Sequence, residues 1–320
     1  MEGNIGFIGL GAMGSPMAKR IADALTDDSQ VFVYDVVEAV LDELLASNPA
    51  KIQKAASPAA VAKQATTIIS MVPEGRHVRD VYLDANTGIN TVDLSKHLLI
   101  DCSTIDVATN LAVKKQIQES SPGVRMYDAP VTGGVQGAEK GTLAFFLGCA
   151  ESDPSFPAVQ KLLKTMGRQV ISCGGPSLGL VTKLTNNYLS GLIAIASSEA
   201  LNMGIRAGMD PVVLSRALSA GTAQNAICDK FNPVPGVLPE APSSHGYRGG
   251  FKVQLMKKDF ALAVDMAKDV GATLALGPEG LRVYEGASND LNCRDRDSRV
   301  VYRYLGGIED RAHGNRSNGA

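Results

Sequence analysis

Three glycines in the spacing GxGxxG, Gly9, Gly11 and Gly14, stand between a short apolar run, Asn4 to Ile8, and a helix-like segment, Ser15 to Leu25. In a strand–turn–helix unit the first glycine permits the tight turn and the second lets the backbone approach a pyrophosphate. The third allows the helix to pack closely on the strand. The helix N-terminus then presents free N–H groups and its positive dipole end to phosphates. Glycine-rich turns are common, so the segment Gly9-Leu10-Gly11-Ala12-Met13-Gly14 gains its weight from context. A second strand, Val31 to Tyr34, ends in Asp35, 21 residues after Gly14, where a carboxylate can accept both hydroxyls of a ribose. The competing reading of Asp35 is a simple turn-capping aspartate.

Asp35 also bears on the choice of dinucleotide. Its charge would repel a 2′-phosphate, and an NADP site normally offers arginine instead. Val36 and Val37 follow, with no basic residue before Lys51. NAD is therefore expected over NADP.

Strand and helix signals continue to alternate. Thr67 to Met71 reads as a strand ending at Val72-Pro73-Glu74-Gly75, and Leu98 to Asp101 as another, followed by Cys102-Ser103-Thr104 and a helix from Asp106 to Glu119. Ligands of open α/β sheets bind at such carboxyl ends. Arg125 to Tyr127 and Leu143 to Leu147 supply further strands, Phe156 to Met166 a helix, and Gln169 to Ser172 the last strand. Between Tyr127 and Leu143, Gly133 and Gly134 follow the hydroxyl of Thr132. They can aim backbone N–H groups at one point as an anion nest, or form a plain hairpin-like loop. The α/β region is expected to end near Cys173.

Everything beyond reads helical. Ser177 to Gly208 contains no proline and is closed by Gly208 with Pro211 beyond, which predicts one helix of about 30 residues. Tyr188, Leu192 and Ile195 continue an apolar stripe from Leu184, while Lys183, Asn187, Ser190, Gly191 and Ala194 share another side. A stripe of small groups leaves room for something to lie against it; the bland alternative is a solvated face, where most helix lysines sit. Leu180 and Leu184 flank Lys183, and partial desolvation there would favour the neutral amine of a general base. Further helices are expected at Pro211 to Ser219, Lys252 to Val270 and Pro278 to Asn289. A long loop, Phe231 to Gly250, joins the first two of these. The tail from Gly306 to Ala320 is polar and glycine-rich, and is expected to be disordered.

The bulk numbers exclude several classes. A hydrophobic fraction of 45% and a net charge of −2 describe a globular enzyme and give no reason to expect nucleic acid or an anionic membrane as partner. The apolar core Tyr188 to Ala196 falls short of the roughly 20 residues of a membrane span. Five scattered cysteines, never spaced CxxC, read as reduced thiols, and the four histidines show no metal-ligand spacing. With only Met1 to Gly3 ahead of the first strand, no signal or transit peptide is expected.

Taken together, GFIGLGAMGSPMA, LIDCSTID, YDAPVTGGVQGAEKGTL, GLVTKLTNNYL, NPVPGV with GYRGGF, and LMKKDFALA resemble the β-hydroxyacid dehydrogenase family, in the family's order and nearly to Tyr304. The resemblance implies a Rossmann-type doubly wound N-terminal domain (1–173), an all-helical substrate and dimerisation domain (174–305), and an active site in the cleft between them. It also implies NAD-dependent oxidation of 3-hydroxyisobutyrate to methylmalonate semialdehyde, a step of valine catabolism. Lys183, in the pattern GxxxKxxNN, is implied as the general acid/base. Asn187 is implied to hold substrate, and Thr132, Gly133 and Gly134 its carboxylate. Cofactor contacts are implied at the GxGxxG segment, Val72, Pro73, Thr104, Lys258 and His77, the last often asparagine in relatives. The expected partner is a small 3-hydroxy acid, in a homo-oligomer (dimer or tetramer) formed through the long helix. Relatives work in the mitochondrial matrix of eukaryotes and the cytoplasm of bacteria. The alternatives are a reductase of a small aldehyde acid such as glyoxylate, succinic or tartronic semialdehyde, and a non-catalytic module that senses dinucleotide or docks to a partner.

Overall fold

The computed structural model describes residues 2–309. Six strands, β1 (Ile5–Ile8), β2 (Val31–Tyr34), β3 (Ile52–Lys54), β4 (Thr67–Ser70), β5 (Leu98–Asp101) and β6 (Arg125–Asp128), form one parallel sheet in the order β3-β2-β1-β4-β5-β6. Helices α1 (Gly14–Ala24), α2 (Glu38–Ser47), α3 (Pro58–Gln64), α4 (Gly75–Leu83) and α5 (Val107–Ser120) make the crossovers. This is the doubly wound order, with its switch point between β1 and β4. The central strands read as near-continuous apolar runs, IGFI, TIIS and LLID, because both sheet faces are covered. Alternation still sorts them: Phe7, Ile69 and Ile100 join one apolar cluster with Met17 and Ile21 of α1. Ile8, Ile68 and Leu99 join another with Val78 of α4 and Ile117 of α5. The register pairs Ile8 with Tyr34 and Ser70, Ser70 with Asp101, and Asp101 with Asp128. The segments that leave these five strands therefore emerge along one edge.

Leu143 to Leu147 and the last strand do not extend this sheet. β7 (Val131–Thr132), β8 (Leu143–Leu147) and β9 (Gly167–Ser172) make a separate three-stranded sheet, antiparallel between β7 and β8 and parallel between β8 and β9. The reason is chain length. Only Ala129 and Pro130 separate β6 from β7, far fewer than the dozen residues a parallel crossover needs. α6 (Gly134–Lys140), which the sequence pattern did not reveal, and α7 (Phe156–Leu163) link these strands.

The long helix is α8 (Leu178–Arg206), 29 residues. Gly208 at φ +98 ends it, with N–H bonds from Gly208 to the Ile205 carbonyl and from Met209 to that of Gly204. The chain divides into two compact units between Leu184 and Thr185, inside α8, so Lys183 belongs to the first. The second unit is helical: the rest of α8, then α9 (Pro211–Ala220), α10 (Ala226–Phe231), α11 (Val253–Asp269), α12 (Gly277–Asn289) and α13 (Val301–Tyr304). Within the loop after α10, Asn232 is buried, donating to Ser215 Oγ and the Cys228 carbonyl, and Tyr247 Oη donates to the Pro233 carbonyl.

Two expectations need correction here. The small-residue stripe of α8, expected to leave room for a ligand, is filled at Gly191 by aromatic rings. Tyr284 donates to the Gly191 carbonyl at 3.0 Å, and a Cβ at Gly191 would stand 2.9 Å from the Phe260 ring. Tyr188, Phe260 and Tyr284 follow one another at centroid separations of 4.9 and 5.6 Å. The tail expected to be disordered from Gly306 is held as far as Glu309. Tyr302 donates to the Ile308 carbonyl, and Arg303 grips Glu309 with two bonds of 2.6 and 2.7 Å. Residues 310–320 lie outside the described residues.

Candidate functional site

The three glycines have distinct local reasons. Gly9 sits at φ +92, and a Cβ there would strike the Met71 carbonyl; a Cβ at Gly14 would strike the Gly9 carbonyl. Gly11 faces open space, with nothing within 4 Å of an added Cβ. Among the described residues, the N–H groups of Gly11, Ala12 and Met13 donate to no protein group. Open space over a row of unspent donors at a helix N-terminus fits a pyrophosphate. Asp35 is locked beside this loop: Oδ2 accepts from Leu10 N–H at 2.6 Å and Oδ1 from Val37 N–H at 2.8 Å. Each oxygen retains a lone pair for a ribose hydroxyl. Val36 is 86% exposed and Val37 50%, where a 2′-phosphate would require a cation.

The loops after β4 and β5 are tied to each other. Val72 N–H donates to Ser103 Oγ at 2.9 Å, and Ser103 Oγ donates to Asp101 Oδ1 at 2.6 Å. Ser70 Oγ donates to the same oxygen at 2.8 Å and lies 2.9 Å from Tyr82 Oη. This buried chain fixes Val72 and the segment leading to Thr104. His77, in the first turn of α4, has a buried Nδ1 without a hydrogen-bond partner, a polar atom that a bound group could satisfy. Ser103 was not singled out from sequence, because its partners lie on two different strands.

Burial pushes the Asp101 carboxyl up to about 6, against the opposing hydrogen bonds of Ser103 and Ser70. The folded protein thus holds this proton more tightly than the unfolded chain, whose carboxyl titrates near 4. The stability contributed by Asp101 is complete below about pH 4 and is lost as pH rises through about 6. Asp101→Asn should remove that loss. Between pH 4 and pH 7 the variant should gain about 2 kcal/mol relative to the parent. Urea melts of both proteins at the two pH values measure it, and a constant difference would contradict it.

Thr132 closes β7, and the backbone turns at Gly133 (φ +128) and Gly134 (φ +64). An added Cβ at Gly134 would meet nothing within 4 Å, so this turn offers an open, side-chain-free surface. Lys183, in the first unit's part of α8, is buried at 8% exposure and so does not lie on a solvated face. In the second unit Asn187, also buried, donates from Nδ2 to Asp259 Oδ2 at 2.7 Å, and accepts from Asn186 at 3.1 Å. Lys258 Nζ lies 3.2 Å from Asp259 Oδ1, a charge contact rather than an aligned hydrogen bond. Asp259 thus orients both Asn187 and Lys258. The sequence carried a signal for it: Asp259 falls in the buried register of Met256, Phe260 and Ala263, where an aspartate needs a partner. Arg248, which the sequence left without a role, lines a cavity of about 460 Å³ with His245, Gly246, Arg296 and Arg303.

In the first unit, then, Gly9 to Gly14, Asp35, Val72, Pro73, His77 and Thr104 follow the carboxyl ends of parallel strands, and Thr132 to Gly134 lie at the end of the short antiparallel strand β7 that comes just after β6. In the second, Asn187 and Lys258 meet through Asp259. Fold and site define a nicotinamide-dinucleotide-dependent dehydrogenase. Residues 4–175 match the family described as the NAD binding domain of 6-phosphogluconate dehydrogenase. Residues 178–305 match that described as NAD-binding of NADP-dependent 3-hydroxyisobutyrate dehydrogenase. The chain is 38% identical to the mitochondrial 3-hydroxyisobutyrate dehydrogenase of Mus musculus, over 94% of this chain and 86% of that one. It is 39% identical to the 3-hydroxyisobutyrate dehydrogenase of Pseudomonas aeruginosa, over 86% and 88%. A solved structure of 3-hydroxyisobutyrate dehydrogenase from Mycobacterium tuberculosis with L-serine superposes with a TM-score of 0.84 at 30% identity, covering 95% of this chain and 99% of that one. The chain belongs to the 3-hydroxyisobutyrate dehydrogenase family, within the β-hydroxyacid dehydrogenases.

Proposed function

We propose that this chain oxidises 3-hydroxyisobutyrate to methylmalonate semialdehyde with NAD, the step of valine breakdown carried out by enzymes of this name. The observation that carries the reading is a buried lysine, Lys183, in the same compact unit as the dinucleotide loop and the Thr132–Gly134 turn. When bound, the nicotinamide supplies the hydride acceptor. The N–H groups of Gly11, Ala12 and Met13 hold the pyrophosphate, Asp35 the ribose hydroxyls, and Val72, Pro73, His77, Thr104 and Lys258 contact the remainder. The Thr132 hydroxyl and the backbone of Gly133 and Gly134 hold the substrate carboxylate. Lys183, as the neutral amine, accepts the hydroxyl proton, a role that contributes about 10² to 10⁴-fold. Asn187, its amide fixed by Asp259, holds the substrate hydroxyl side.

The deciding experiment is a steady-state panel of 3-hydroxyisobutyrate, L-serine, 3-hydroxypropionate and glycerate with NAD and NADP, run beside the reverse reaction on glyoxylate, succinic and tartronic semialdehydes. Highest kcat/KM for 3-hydroxyisobutyrate with NAD is expected. A higher value for any of the aldehyde acids replaces this reading with a reductase. NAD binding without turnover of any panel member makes the chain a non-catalytic module. We infer a homo-oligomer through α8 from its exposed Leu189 and Met203, 59% and 71% accessible; light scattering that gives only a 33.6 kDa species would remove it. No helix among the described residues is long and apolar enough to cross a membrane. The compartment we infer is the mitochondrial matrix in a eukaryotic host and the cytoplasm in a bacterial one, following the relatives.

A further inference from the structure

We infer that Asp128 is a positioning residue for Lys183: from the carboxyl end of β6 it holds the first turn of α8, and so fixes where the lysine stands relative to the Thr132–Gly134 turn. The inference rests on the reading of Lys183 as the proton acceptor.

A helix N-terminus leaves its first N–H groups without intrahelical partners, and a local Ser, Thr, Asp or Asn side chain usually supplies the acceptor. Before α8 the chain reads Gly174-Gly175-Pro176-Ser177, and Ser177 has the right chemistry. Its backbone, however, sits at φ +61, and its hydroxyl donates to Asn110 Oδ1 at 2.8 Å. The acceptor comes instead from a distant strand. Asp128 Oδ1 accepts from Ser177 N–H at 2.8 Å, and Oδ2 from Leu180 N–H at 2.9 Å. Both bonds are charge-assisted, and the carboxylate faces the positive end of the helix dipole.

The surroundings are built to admit this carboxylate. A Cβ at Gly148 would overlap the Asp128 carboxylate, and a Cβ at Gly179 would strike the Phe146 carbonyl and lie 2.7 Å from Asp128 Oδ2. Two glycines on two further elements, the end of β8 and the first turn of α8, thus leave the space that Asp128 fills. Asp128 is 3% exposed. Burial raises its carboxyl, and the Leu180 and Ser177 N–H groups oppose that rise.

Asp128 is placed to matter for the chemistry because of what lies on either side. In one direction it opens DAPVTGG, so Thr132, Gly133 and Gly134 follow within six residues. In the other, Lys183 lies three residues beyond Leu180, one turn along α8. One side chain therefore joins the segment read as the carboxylate clamp to the helix that carries the lysine. An error of about 1 Å in such a placement can cost on the order of 10²-fold in rate. If Asp128 only supported the fold, its loss would lower stability and leave the folded enzyme's kcat alone.

Asp128→Asn keeps the shape but turns an amide NH₂ toward one of the two N–H donors. On enzyme shown to be folded by circular dichroism, kcat should fall at least about tenfold, while KM for NAD stays within about twofold. In a Lys183→Ala background the same substitution should lower the residual rate by no more than about twofold, because two changes acting through one group are not additive. An unchanged kcat in Asp128→Asn overturns the inference, as does a full further loss in the double variant. Should Asp128→Asn fail to fold, Asn110→Ala loosens the same turn through the Ser177 hydroxyl and should lower kcat a few-fold, about two- to fivefold, with KM for NAD unchanged; an unaltered kcat there overturns the inference. Failure of the lysine reading is separable: Lys183→Ala would then itself retain activity.

Discussion

Replacing Lys183 with alanine should lower kcat by about 10²-fold or more, the loss expected for a positioned acid–base group, while NAD should still bind. The first half follows from burial. Lys183 is 8% exposed, so few other bases reach its position, and alanine there has no group that can take the proton. The second half follows from the hydrogen bonding of the dinucleotide loop. Leu10 is held by Asp35, Gly9 N–H by the Tyr34 carbonyl, and Val72 by Ser103; none of these bonds passes through α8. Arginine does not restore the rate, because a guanidinium is too basic to accept a proton. Steady-state rates of Lys183→Ala beside a fluorescence titration of NAD measure both halves. Retention of more than about a tenth of kcat, against that 10²-fold expectation, would make the lysine a bystander.

What could be read from the chain without coordinates was what is local. Gly9, Gly11 and Gly14 announce their roles because turn, approach and packing are all settled within a few residues, and Asp35 because a strand's end fixes it beside that turn. The α/β class of the first domain was legible for the same reason, since apolar runs alternate there with helical segments; the order of the strands in the sheet was not. Contacts across the chain were not legible. Asp128 reaches Ser177 and Leu180 across 49 and 52 residues, and Asp259 reaches Asn187 across 72; no spacing rule connects such pairs. Gly191 misled for another reason. A missing side chain shows that something comes close, and gives no sign of whether that is a substrate or the ring of Phe260. The separate β7-β8-β9 sheet escaped because strand propensity says nothing about which neighbour a strand will find. Lys183 itself came from the family pattern, and the structure adds its burial and its place in the first unit.

The cofactor preference is the second large effect, at least tenfold in kcat/KM for NAD over NADP. A 2′-phosphate would enter beside Asp35, and the question is whether the carboxylate can move away. It is held by Leu10 N–H at 2.6 Å and Val37 N–H at 2.8 Å. Breaking each of these charge-assisted bonds costs about 1.5–3 kcal/mol. Staying leaves a carboxylate against a phosphate, and the two exposed residues that follow Asp35, Val36 and Val37, offer it no cation. Either course exceeds the roughly 1.4 kcal/mol that corresponds to a factor of ten. Asp35→Asn removes the charge but keeps one acceptor. Its amide can still receive Leu10 or Val37, whereas it offers the ribose hydroxyls a poorer partner. The variant should therefore narrow the gap mainly by weakening NAD, with NADP rates little raised, because nothing has been added to bind the phosphate. Initial rates with both dinucleotides, for parent and variant, measure this. Equal kcat/KM for the two cofactors in the parent would mean that Asp35 does not face the ribose.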